Sequence, residues 1–388
     1  MIILDKPYVS DLLKTTIKEN NIKVLAASAK AFGIENANEI SNDDAVIAYN
    51  KIAYPKIYSN SENAINWISQ NLTQSSLPEN INLFKDKIKF RELIANMYPN
   101  FFYKSVSYSK LKDITVKDIP KPFIIKPAVG FFSMGVYKVS SNNEWENILD
   151  RIYKEMETVK NLYPLEVMDG TNFIVEQCIE GDEYAFDAYF DESGEPIIVG
   201  IFKHLFSSGS DVSDRVYYTS KEIIESYLAP FTKFLQEIGK LKVLKNFPLH
   251  SEVRITEQGE IIPIEINPMR YGGWCTTADL TNMAFNFNPY VYFFKQLKPN
   301  WNELLKGKEK LRYCIVILNN STGFQANEIK EFSYKKLKAK FNKTIDLRVV
   351  DYNSYPLFGI LFTESHEDNF TEIEEILVSD LKDFISLK

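Results

Sequence analysis

The chain of 388 residues is poor in cysteine and has no basic excess, and each shortage excludes something. Cys178, Cys275 and Cys314 stand far apart with no CxxC pair, which excludes a disulfide scaffold and fits reduced thiols in a cytosolic protein. His204 and His250 lie too far from any Cys/His cluster to argue for zinc. No run approaches the roughly 18 uncharged apolar residues of a membrane-spanning helix. The opening MIILDKPYVS is broken at Asp5 and Lys6, too early for a secretory signal, so a cytoplasmic protein is expected. Forty-five Lys+Arg against fifty-two Asp+Glu leave a net charge of -7, which excludes a general nucleic-acid binder. GxGxxG, Walker A and GxSxG patterns are all missing, leaving no support for a dinucleotide site or a hydrolase triad.

What is present reads as an ordinary globular protein, 45% hydrophobic and 25% charged. At roughly 150 residues per domain the length favours two or three domains. The first eighty residues alternate short apolar runs (Ile2–Leu4, Val24–Ala26, Ala45–Ala48, Lys56–Tyr58) with helical patterns over Ser10–Glu19 and Ser61–Leu72. That alternation predicts a small α/β domain with a mainly parallel sheet. Gln74–Asn80 reads as a linker, and Lys85–Met97 as helical. A strand–turn–strand follows over Pro122–Val139, then a helical stretch Glu144–Lys160. Strands are expected at Phe173–Glu176, Glu183–Phe190 and Ile197–Phe202, and a helix at Lys221–Ile238. The tail predicts three strands (Tyr313–Leu318, Asp346–Asp351, Leu357–Thr363) and a helix Asp368–Leu387, together a small α+β unit.

The most informative segment is HSEVRITEQGEIIPIEINPMR, His250 to Arg270. Apolar and polar residues alternate in both halves, as in two strands that each have an apolar and a charged face. Placing Gln258-Gly259 in a two-residue turn sets Glu252 opposite Glu265 and Arg254 opposite Pro263. Two carboxylates about 5 Å apart repel by roughly 3 kcal/mol at an effective dielectric near 20. Solvation, protonation of one acid, or a cation between them would relieve that repulsion. Asn267, on the same face, adds an oxygen, and two carboxylates with an amide suit Mg²⁺. A solvated edge hairpin would show the same acidic face. The continuation NPMRYGGW, an Arg followed by two glycines, favours a loop that approaches a ligand; Tyr271, Gly272, Gly273 and Trp274 are candidates to shape its pocket.

Other segments are suggestive only in company. FIIK ends an apolar strand on Lys126, before a turn (128–135) with Gly130, Ser133 and Gly135, where small residues let backbone N–H groups reach phosphate oxygens. EQCIEGDE (Glu176–Glu183) is an acidic strand–turn–strand, and Lys203-His204 follows a strand as a surface cation or a phosphate ligand.

In order, Asp86-Lys87, FIIKPAVGFFSMGV, VEQCIEGDEYAFDAYF, FKH and SEVRITEQGEIIPIEINPMR resemble the motifs of the ATP-grasp superfamily over roughly residues 82–275, and its carboxylate–amine ligases in particular. The resemblance implies an α/β and α+β architecture. A small N-terminal α/β domain (1–80) would precede a two-lobed ATP-grasp fold (81–300, hinge near 176–180) and a small C-terminal α+β unit (301–388). It further implies that Lys87, Lys126 and Ser133 bind nucleotide phosphates and that Glu176, Gln177, Cys178 and Ile179 line the adenine. Glu183 would accept from the ribose. Glu252, Glu265 and Asn267 would hold Mg²⁺, with Mn²⁺ as a substitute. Lys203, Arg270 and, more weakly, Arg254 are the implied catalytic cations. Gly130–Gly135 is the candidate lid and Ser207–Asp214 a second.

The reaction implied is a two-step ligation. A substrate carboxylate attacks the γ-phosphate of ATP, and an amine, expected to be that of an amino acid or small peptide, then displaces phosphate from the acyl phosphate. Two alternatives stay open: a different product made from an acyl or carboxy phosphate, and an ATP-binding regulatory protein without turnover. The partners expected are small-molecule acids and amines rather than nucleic acid or membrane, with a homo-oligomer left open. The turn GFFSMG is less glycine-rich than in many members. The first domain lacks the glycine-rich loops of a D-alanine–D-alanine ligase, which disfavours that activity.

Overall fold

The computed structural model describes residues 1–129, 135–160, 172–208, 211 and 213–388, with 157–160 as backbone. Ser133 and most of the Gly130–Gly135 turn lie outside the described residues, as does part of the Ser207–Asp214 loop. Among the described residues no helix is long and apolar enough to cross a membrane.

The N-terminal segment forms the expected parallel sheet, ordered Asn38–Ile40, Lys23–Leu25, Ile2–Ile3, Tyr58–Ser59. Two of its helices start where the sequence supplies an acceptor: Ser10 caps Asp11–Glu19 and Ser61 caps Glu62–Asn71. One expectation fails here. Ala45–Ala48 is not a strand but lies inside the helix Asn42–Tyr49, because Ser41 accepts from the Asp44 N–H and starts a helix. The strand is Asn38–Ile40, just before it. Gln74–Asn80 is likewise no linker, since Leu77–Lys85 is helical with a proline in its first turn. The expected Lys85–Met97 helix is broken at Asp86, which caps a separate helix Lys87–Ile94 and so sets Lys87 at its first position.

A second, four-stranded antiparallel sheet is ordered Tyr103–Ser107, Asn172–Gln177, Phe123–Pro127, Tyr137–Val139. It has its own core, in which Phe123, Ile125, Phe173 and Val175 pack under Trp145, Ile148 and Ile152 of the helix Trp145–Lys160. The third sheet has eight strands, ordered Ile261–Pro268, Phe247–Ile255, Asp182–Phe190, Pro196–Leu205, Val216–Ser220, Leu311–Asn319, Leu357–His366, Thr344–Val349. Every neighbouring pair in it is antiparallel.

The tail therefore extends the central sheet through the pairing of Val216–Ser220 with Leu311–Asn319, so a boundary at residue 300 cuts across one continuous sheet. Its last helix is also shorter than expected: it runs Thr371–Val378, and Ile385–Leu387 then pairs as a strand with Ile329–Phe332.

Candidate active site

The hairpin Phe247–Ile255/Ile261–Pro268 places Glu252 opposite Glu265, as the alternation predicts, but by a different route. The turn holds three residues, not two: the Thr256 N–H donates to the Glu260 carbonyl, and Gly259 takes φ +79°. That moves the register by one, so Arg254 faces Ile262 and Val253 faces Pro263, which corrects the expected Arg254–Pro263 pair. A bulge at Ile264, next to a proline that cannot donate to the ladder, moves the register back before Glu252 is reached.

Adjacent strands share faces, so the sheet displays successive polar rungs on one side. Asn267, His250, Asp187 and Gly200 form one; Glu265, Glu252, Ala185 and Phe202 the next; Arg254, Glu183, His204 and Tyr217 the third. Glu265 is well served. Its Oε2 lies 3.2 Å from Lys87 Nζ, and Oε1 accepts from Asn267 Nδ2 at 2.8 Å. Burial works to raise its pKa, but Lys87, Asn267 and Lys126 outweigh that and bring it to about 2. Glu252 is not served in this way: burial and the facing Glu265 raise it. Its nearest cation is His250, with Nε2 3.6 Å from Oε1. His250 Nδ1 in turn contacts Asp187 Oδ1 at 2.7 Å. Burial opposes the charge on His250, yet Asp187 and Glu252 raise its pKa to about 9.

The second cluster belongs to the smaller sheet. Lys126 Nζ is 2.5 Å from Glu176 Oε1, and Arg91 Nε donates to Glu176 Oε2 at 2.8 Å, all three side chains being buried. Burial alone would raise Glu176, but the two cations bring it to about 2. Burial lowers the pKa of Lys126 against the pull of Glu176. Arg91 Nη1 also donates to the Pro263 carbonyl at 2.7 Å, so one guanidinium joins the small sheet to the hairpin. Nothing in the motifs marks Arg91, although it stands four residues after Lys87 and hence on the same helix face.

Arg270, beyond the hairpin, donates through Nε to Glu62 at 2.8 Å, and Lys85 Nζ lies 2.9 Å from the same carboxylate. Glu62, in the first turn of a helix of the N-terminal domain, is the partner that the motifs do not reveal. Burial opposes its ionisation, but Lys85 and Arg270 hold its pKa at about 2.

Of two further expected catalytic cations, one lies on the other face of the sheet and one is already engaged. Lys203 pairs with Tyr184 and Tyr218, on the side of the sheet covered by the helix Lys221–Leu241, and its Nζ lies 2.6 Å from Asp182. The reason is a bulge between Ile198 and Gly200. Counted without it, Glu183 would face Lys203; with it, Glu183 meets His204, whose Nδ1 is 2.9 Å away. Arg254 is committed to Glu183 (3.0 Å) and to the Ile179 carbonyl (2.6 Å), tying the hairpin to the segment after the strand Asn172–Gln177. Glu183 thus already serves His204 and Arg254. In the segment expected to line the adenine, the Gln177 and Cys178 N–H groups donate to the Phe102 and Pro122 carbonyls, so those two donors are spent within the protein.

Residues 119–278 match the family model of the ATP-grasp domain. The chain carries an ATP-grasp domain. No protein of curated function matches the chain in sequence. Solved structures share the fold over the whole length. An L-amino acid ligase from Bacillus licheniformis superposes with a TM-score of 0.64 at 14% identity, covering 100% of this chain and 98% of that one. The N5-carboxyaminoimidazole ribonucleotide synthetase of Thermotoga maritima gives 0.62 at 14% identity, covering 99% and 98%. The biotin carboxylase domain of the Hydrogenobacter thermophilus 2-oxoglutarate carboxylase, solved with MgADP and bicarbonate, gives 0.62 at 14% identity, covering 100% and 90%. ATP and Mg²⁺ are the typical cofactors of ATP-grasp enzymes.

The residues present fit such a metal. Glu252 and Glu265 face each other with Lys87 matched to only one of them, and Asn267 turns its amide nitrogen to Glu265. Among the described residues no group of three or more His, Cys, Asp or Glu side chains forms a metal cage. A set of two carboxylates and an amide oxygen is the sparse, hard donor set that Mg²⁺ completes with water and phosphates.

Proposed function

We propose that the protein is an ATP- and Mg²⁺-dependent, ADP-forming ligase that activates a carboxylate as an acyl phosphate and joins it to an amine, with an amino acid or small peptide on at least one side. The observation that carries this reading is the facing Glu252–Glu265 pair, one charge of which Lys87 leaves unmatched, within electrostatic reach of Lys126. Glu252, Glu265 and Asn267 would hold the metal, which supplies charge neutralisation between nucleotide phosphates. Lys87 and Lys126 bind those phosphates, each oriented by a carboxylate already in place. Glu176 acts here as the anchor of Lys126 and Arg91, leaving the adenine edge to backbone groups of Gln177–Ile179 other than the spent Gln177 and Cys178 N–H donors. Glu183 can accept from the ribose only by sharing its oxygens with His204 and Arg254. Arg270, steadied by Glu62, is the cation for the acyl phosphate and its developing negative charge.

Phosphoryl transfer of this kind depends on positioning and electrostatics more than on covalent chemistry by the protein. Water must be excluded, or the activated acid hydrolyses before the amine arrives. The test is ADP and phosphate release in the presence of pooled carboxylic acids and amino acids, with products identified by mass. Release stimulated by one acid–amine pair, with a condensed product of matching mass, is expected. Binding of ATP with no release under any pair would overturn the proposal.

A further inference from the structure

We propose that Asp187 is a positioning residue that ties the metal-ligating Glu252, through His250, to the backbone of the loop following Arg270. The proposal rests on the ligase reading above. Asp187 sits in the middle of the strand Asp182–Phe190, fully buried, between Phe186 and Ala188. A carboxylate there is expensive to bury unless its hydrogen bonds serve something.

Its Oδ1 meets two groups: His250 Nδ1 at 2.7 Å and the Gly272 N–H at 3.0 Å. Its Oδ2 has no partner among the described residues. A carboxylate placed for stability alone would satisfy both oxygens; this one concentrates its contacts on one. Because Nδ1 is held by Asp187, the imidazole turns Nε2 toward Glu252, 3.6 Å away. A ring nitrogen fixed by a carboxylate behind it is the arrangement that orients groups around metal sites.

The second arm reaches the other half of the site. Gly272 lies two residues after Arg270, and its N–H is shared between Asp187 and Thr277 Oγ1 at 2.8 Å. A Cβ at Gly272 would come within 2.3 Å of Thr277 Oγ1, so the loop is pressed against this point. Met269, Trp274 and Cys275 all have positive φ, which marks the segment as held in place by its surroundings. Asp187 therefore touches both the imidazole behind Glu252 and the loop behind Arg270.

The test measures Mn²⁺ binding to the full chain with ADP present, from the electron paramagnetic resonance signal of free Mn²⁺. If the wild type takes up no Mn²⁺, the ligase reading fails, and the positioning role fails with it. If it does, Asp187→Ala and His250→Asn should each weaken Mn²⁺ by roughly 10- to 100-fold. The double variant should be no weaker than the poorer single one, since both break one connection. Hydrogen exchange at the Gly272 amide should quicken in Asp187→Ala, which removes the Oδ1 acceptor, and stay unchanged in His250→Asn. Wild-type affinity in either single variant, multiplied losses in the double variant, or unchanged Gly272 protection in Asp187→Ala would overturn the proposal. Should Asp187→Ala not fold, His250→Asn and His250→Gln decide. Each imitates one ring nitrogen but not both, so both must lose affinity, and full affinity in either overturns the role.

Discussion

The two charged clusters of the site are built on opposite principles. Around Glu176, two cations converge on one buried carboxylate, and both of its oxygens are matched. Around Glu252 and Glu265, two carboxylates face each other and the lysine serves only one of them. In the first cluster the carboxylate is matched within the protein and holds Lys126 and Arg91 in place, although Arg91 Nη2 has no partner among the described residues. In the second, Glu252 has only His250, 3.6 Å away and shared with Asp187, so the facing charges stay incompletely matched until another cation arrives. Buried ion pairs whose charges are matched are positioning devices, whereas like charges kept together mark a place where binding relieves the repulsion.

Breaking the first cluster should have the largest effect on the fold. Glu176→Ala leaves Lys126 and Arg91 buried without an anion, and a loss of about 3–5 kcal/mol is expected by denaturant unfolding. A loss under about 1 kcal/mol would mean that the cluster is looser than its distances imply. Acid sharpens the same point. Glu176 is held at about 2 in the folded chain, below its ordinary 4.5, so its contribution is full above pH 4.5 and fades as pH falls toward 2. The acid side of a stability–pH curve should flatten in Glu176→Gln, and identical curves would contradict this.

The second cluster should respond the other way. Without metal, Glu252→Gln removes one of two facing charges and should leave stability unchanged or raise it by up to about 1 kcal/mol, while turnover is lost. A clear destabilisation would show that Glu252 is part of a matched network. The smallest effect is expected at Lys203, which lies on the far side of the sheet. Lys203→Ala should change KM for ATP by no more than about twofold, since its partner is the exposed Asp182. A tenfold rise would return it to the phosphate site.

The fold was legible wherever periodicity and caps agreed, as at Asp11–Glu19 and along Asp182–Phe190. It was misread where a local cap overrode an apolar run, at Ala45–Ala48, and where a tail joined a distant sheet. Within the site the alternation of the hairpin was enough to face Glu252 with Glu265, although a longer turn and a bulge shift the register by one residue in opposite senses and cancel. At Lys203 a single bulge was not compensated, and the neighbouring His204 took the inward position. Arg91, Glu62 and Asp187 were illegible because their partners are Glu176, Arg270 and His250, far away in sequence and joined only by the fold.

The central claim is that the Glu252–Glu265 pair holds the metal that turnover requires. Its most direct test is ATP turnover by Glu265→Gln, assayed beside its melting curve across a Mg²⁺ titration. The account predicts a fall of more than about a hundredfold that added Mg²⁺ does not restore, with the melting transition largely kept. Turnover near the wild-type level, at ordinary Mg²⁺, would contradict it.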